Sequence, residues 1–143
     1  MLGLIFSIVA GIAMSLQGVF NTRLGEKVGS WETNLFVQGT GFLITIIVVM
    51  FFGKGDLKAL KDANKLYLLG GVLGVIITIT VMEGIKFMGP SYAIIIILIA
   101  QLTAAALIDA FGLFDSHKII FGWTKIIGIA IMVLGIVIFK WKG

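Results

Sequence analysis

The sequence predicts an all-α integral membrane protein of five transmembrane helices, and three observations carry that prediction. Mean hydropathy is +1.15. The composition is 59% apolar against 13% charged residues. Five apolar stretches each reach the roughly 20 residues that a helix needs to cross a hydrocarbon core of about 30 Å. A soluble domain carries about a quarter charged residues. A chain of 143 residues hides only about two-thirds of its surface on folding. The surplus apolar surface must face lipid.

The expected spans run over residues 2–24, 33–52, 66–88, 91–114 and 119–139. The opening stretch, MLGLIFSIVAGIAMSLQGVF, has neither a positive leading region nor a small-residue cleavage site, so it reads as a retained first helix rather than a signal peptide. Residues 25–30 and 53–65 form the first two loops, with Asp62 and Asn64 as possible caps before the third span. Gly89-Pro90 is a tight break, since proline cannot continue a helix but suits the first turn of the next. Residues 115–118 make the fourth loop. Membrane strands would be about ten residues long and alternate apolar with polar. These runs are twice that length and apolar on both parities, as in the stretch from Ile94 to Ile99. The β-branched content is overridden, because a helix satisfies its own backbone in lipid. No linker or internal repeat divides residues 1–143, so a single domain is expected.

Several function classes have no footing. The chain has no cysteine, which removes disulfides and thiolate metal sites. His117 is the only histidine and falls in a loop, so no metal or cofactor is expected. No Ser-His-Asp constellation, P-loop or redox motif appears, and an enzyme is not expected. The net charge of +4 comes from isolated basic residues beside apolar blocks, as membrane loops show, and not from the basic–aromatic runs that bind nucleic acid.

Five spans place the chain's ends on opposite sides. The N-terminal side holds Lys54, Lys58, Lys61, Lys65, Lys118 and Lys125, six in all; the other holds Arg23, Lys27, Lys86, Lys140 and Lys142, five in all. Orientation follows such a difference, and six against five barely sets it. Two opposed copies would then reproduce the inverted repeats of many transporters as an antiparallel homodimer. The alternative is a fixed orientation set by the four lysines of residues 54–65, with a separately encoded partner. Gly70 and Gly74 have the spacing that lets helix backbones approach closely in lipid, and packing within the chain is the favoured reading there. Gly128 and Gly135, seven apart on one face, suit internal packing and dimer contact equally.

Polar groups inside the membrane are costly and mark candidate sites. Gln17 and Asn21 share a face of the first span. Asn34, Gln38, Gly41 and Thr45 form a stripe on the second. Gln101, Ala105 and Asp109 share a face of the fourth. Facing one another, these stripes would line a polar cavity for a small-molecule substrate; the competing reading is interhelical hydrogen bonding worth about 0.6–2 kcal/mol per contact. Glu83 lies about 10 Å from the midplane at 1.5 Å per residue, where a carboxylate is a candidate for proton or ion coupling. A local pair with Lys86 at i+3 also explains it. Asp109 is a second coupling candidate, or is tied to Lys125 or His117. Trp31, Trp123, Trp141 and Tyr67 fall near span ends as an aromatic belt, with Trp31 a candidate for a cation–π contact with substrate.

An ordered set of segments points further: Ala10-Gly11, Leu16-Gln17, Asn21, Leu24-Gly25 and Gly29-Ser30; Leu69-Gly70-Gly71 with Gly74; Gly89, Gln101-Leu102 and Ile108 to Gly112; then Gly128 and Gly135. In this order and spacing the chain resembles, over nearly its whole length, the YdcZ-type five-helix branch of the drug/metabolite transporter superfamily. The resemblance implies a half-sized transporter of the prokaryotic inner membrane, an exporter of small molecules working as an antiparallel dimer. Ala100 and Ala110 stand where that family has glycine and histidine. The glutamate that small multidrug exporters of the superfamily carry deep in their first helix has no counterpart here. A small channel or a non-transporting scaffold subunit are the rival expectations.

Overall fold

The computed structural model describes residues 1–116, 118–119 and 122–141. His117 and Lys142 lie outside the described residues. The chain forms two compact units, Met1–Phe87 and Met88–Gly143.

The first unit contains α1 (Leu2–Val28), α2 (Ser30–Phe52), two short 3-10 helices (Leu57–Lys61 and Lys65–Leu69) and all but the last residue of α3 (Gly70–Met88). The expected loop over residues 25–30 shrinks to one residue. Helix α1 continues through its polar end, where Arg23 pairs with Glu26 at 3.1 Å, and only Gly29 separates it from α2. That reversal needs φ +104°, and a Cβ on Gly29 would run into the Glu32 carboxylate; glycine alone adopts such a conformation freely. At 27 residues, α1 is about 40 Å long, so its charged last turns extend beyond the hydrocarbon. The third span is entered through 3-10 turns capped by Asp56, which accepts from the Lys58 N–H at 2.8 Å, and by Asn64, which accepts from the Leu66 N–H at 3.0 Å. The regular helix therefore starts at Gly70.

The second unit contains α4 (Pro90–Phe111), a 3-10 turn (Leu113–Asp115) and α5 (Trp123–Lys140). Gly89, at φ +79°, precedes α4, and Pro90 occupies its first turn. Helices α4 and α5 form an antiparallel hairpin. Lys140 Nζ lies 4.5 Å from the Tyr92 ring centroid at one end, while Asp109 and Lys125 line a common groove at the other. The fourth helix stops at Phe111, three residues short of its expected end, because Gly112 caps it in the left-handed conformation. The fifth begins at Trp123 rather than Ile119, whose N–H instead bonds the Asp109 carbonyl at 2.9 Å; residues 120 and 121 lie outside the described residues.

All five segments are long and apolar enough to cross a membrane. Their burial is the reverse of a soluble protein's. Among the described residues only Met82, Ile85 and Ala93 are buried apolar residues, whereas Asn21, Thr22, Thr33 and Asn34 are buried polar ones. With lipid outside, apolar side chains gain nothing by packing inward, and polar groups hold the interior.

Candidate functional site

Hydroxyls in membrane helices can bond their own backbone one turn back. Ser7, Ser15, Thr40, Thr45, Thr78 and Thr80 all do so, at 2.8–3.0 Å to the carbonyl four residues earlier. Thr45 thereby drops out of the polar stripe expected on α2: it is exposed and bonds Gly41. The stripe that meets α3 is Ser30, Asn34 and Gln38, at i, i+4 and i+8.

Ser30 Oγ donates to Glu83 Oε1 at 2.6 Å. Asn34 Nδ2 donates to the Val75 carbonyl at 3.3 Å. The Gln38 amide lies beside Gly74, where a Cβ would come within 3.4 Å of Nε2. Gly74 thus lies against Gln38 of α2, while a Cβ on Gly70 would meet nothing within 4 Å. The last turns of α3 meet α1: Thr22 Oγ1 donates to the Gly18 carbonyl at 2.7 Å and lies 3.5 Å from that of Met82. A Cβ on Gly25 would sit 3.6 Å from Met82 Sδ and 3.7 Å from Thr33 Oγ1. Three helices thus converge on a polar junction of Asn21, Thr22, Ser30, Thr33, Asn34 and Glu83. Thr33 Oγ1 and Asn34 Oδ1 are buried there without a hydrogen-bond partner. Leaving such a group unsatisfied costs about 1–3 kcal/mol.

The residues singled out by sequence fall in different settings. Asn21 is buried at the junction, whereas Gln17, one turn earlier, is exposed. Gln38 is exposed beside Gly74. Trp31 is 68% exposed. Glu83 is half-buried between Ser30 and Lys86, whose Nζ is 3.8 Å from Oε2. Gln101, on α4, is exposed. The sequence reading gave no site role to Ser30, Thr22 or Thr33. The four-residue spacing of Ser30, Asn34 and Gln38 was the available signal for Ser30; Thr22 and Thr33 had none beyond adjacency to an asparagine.

In the second unit, Leu102, Ala105, Ala106 and Asp109 of α4 and Lys125, Gly128, Ile129 and Met132 of α5 line a groove of about 370 Å³. A second, of about 180 Å³, follows along the same pair of helices, with Met132, Gly135 and Phe139 on its α5 side. A Cβ on Gly128 or Gly135 would meet nothing within 4 Å, so neither glycine is required for α4–α5 packing.

Five helices long and apolar enough to cross a membrane, with their large apolar side chains mostly exposed, define a multi-pass membrane protein. The chain belongs to the YdcZ family: the model described as "Putative inner membrane exporter, YdcZ" matches residues 2–138. The family's description is that of an inner-membrane transporter, not an enzyme. No curated protein and no solved structure matches the chain.

Proposed function

We propose that the chain is half of an exporter of small organic molecules, with two copies packed antiparallel around a polar cavity near the bilayer midplane. The observation that carries this reading is the exposure of Gln17, Gln38 and Gln101 on helices otherwise built for lipid. An amide facing hydrocarbon lacks partners, and such residues face a bundle interior or a wet cavity. A second copy would cover them. The near balance of basic residues on the two sides, six against five, permits the opposed insertion that this pairing needs.

Substrate binds against Gln17, Asn21 and Gln101, with Gln38 and Trp31 at the cavity's margin. Alternating access follows as the two halves exchange conformations, which symmetry makes equivalent. Glu83 and Asp109 are the acidic candidates for ion coupling; Ser30 on α2 bonds Glu83, which links it to a second helix, while its 3.8 Å pair with Lys86 is local to α3. Replacing Gln101 with Leu is expected to abolish saturable flux in liposomes and to leave dimerisation intact. Preserved transport by Gln101→Leu would remove that residue from the site, and flux rising without saturation would make the protein a channel.

A further inference from the structure

The α4–α5 groove has a charged end and an apolar body, and they are ordered along the membrane normal. Asp109 stands two residues before the end of α4 and Lys125 two residues after the start of α5, beside the exposed Trp123. Both charges therefore lie at headgroup level, where helix ends and aromatic side chains meet water. From them the groove runs toward the bilayer interior, past Gly128 and Met132 and on to Gly135 and Phe139. From Lys125 to Phe139, α5 rises about 21 Å, more than the roughly 15 Å depth of one leaflet's hydrocarbon. The two open glycines leave the floor of the groove free of side chain.

We propose that this groove binds a membrane phospholipid whose headgroup carries both a phosphate and a primary ammonium, with one acyl chain lying along α5. The Asp109 carboxylate accepts hydrogen bonds from the ammonium. The Lys125 ammonium, with three donors, has N–H groups for the phosphate alongside its contacts within the chain. A phosphatidylglycerol headgroup offers Asp109 no cation, and a trimethylated one offers it no N–H. The site depends only on the chain's being embedded in lipid, so it stands whether or not the dimeric exporter does.

The test is lipid retention by native mass spectrometry after reconstitution with equal amounts of phosphatidylethanolamine, phosphatidylcholine and phosphatidylglycerol. Wild-type protein is expected to retain phosphatidylethanolamine at least fivefold over the other two. Asp109→Asn is expected to reduce that preference below twofold, and Gly128→Leu to lower retention of all three at least fivefold. A Cβ at Gly128 meets only open space, and helicity by circular dichroism checks that the variant folds. In parallel, a photoactivatable phosphatidylethanolamine should cross-link wild-type protein at α4 and α5 peptides, a readout that needs no variant. Equal retention of the three lipids, unchanged retention by Gly128→Leu, or cross-links confined to α1–α3 would overturn the proposal. So would a Gly128→Leu protein that keeps its lipid but loses its dimer, because a second copy would then occupy the groove.

Discussion

Gly18 of α1 lies against Ile85 and Val81 of α3. An alanine Cβ there would lie 2.9 Å from Ile85 Cδ1 and 3.1 Å from Val81 Cγ1. Ile85 is buried at 6% exposure, so its tip has little room to retreat, and Val81 is β-branched and stiff at χ1. Overpacking of this kind costs about 1–3 kcal/mol. Replacing a mid-helix glycine by alanine returns about 0.5–1 kcal/mol through backbone entropy. Gly18→Ala should therefore lose roughly 1 kcal/mol net, within a range set by how far Ile85 can shift. Gly128→Ala supplies the control, since it makes the same chemical change into open space and should be neutral or slightly stabilising. The difference between the two variants isolates the steric part, about 1–3 kcal/mol. Equilibrium unfolding in mixed micelles, followed by circular dichroism, measures both. Equal stabilities for the two alanine variants would refute the close α1–α3 contact, and with it the junction that α3 completes.

Two further predictions concern the polar junction and the chain's orientation. The Ser30–Glu83 bond is short, at 2.6 Å; because the Glu83 side chain is 34% exposed, its coupling in a Ser30→Ala, Glu83→Gln double-mutant cycle should be about 1 kcal/mol. A coupling energy of zero would mean the two side chains do not meet in the bilayer. The chain has no native cysteine, so single cysteines at Lys54 or Lys86 report orientation cleanly. Each should be labelled by an impermeant maleimide in part from either side of the membrane, and labelling of each position from one side only would refute opposed insertion.

The membrane class and the number of helices were legible because apolar run length is read against a fixed thickness of hydrocarbon. Edges were less so. The chain from Leu24 to Val28 is polar enough to suggest a loop, yet α1 continues there because helix termini beyond the hydrocarbon tolerate Arg23 and Glu26 when they pair. The entry to α3 looked helical by hydropathy, but Asp56 and Asn64 cap short 3-10 turns and delay the regular helix to Gly70. Of the polar residues, Asn21 and Asn34 stood out because an amide cannot satisfy itself on its own helix. Thr33 did not, since a threonine in a membrane helix usually bonds the carbonyl one turn back, as Thr40, Thr45, Thr78 and Thr80 do here. The Thr33 hydroxyl lies instead toward Gly25 of α1, a tertiary placement that periodicity does not encode. Gln17 shows the converse: it shares the polar face of Asn21 in the sequence, but the packed face of α1 is centred on Gly18, Asn21, Thr22 and Gly25, leaving Gln17 outside it.

The exporter proposal requires two chains to enclose one wet space, and subunit counting in lipid tests that requirement most directly. Fluorophore-labelled protein, reconstituted at falling protein-to-lipid ratios and counted by stepwise photobleaching, should show two copies per spot over a broad range of dilution. Single copies at every ratio would leave the glutamines facing hydrocarbon and contradict the account.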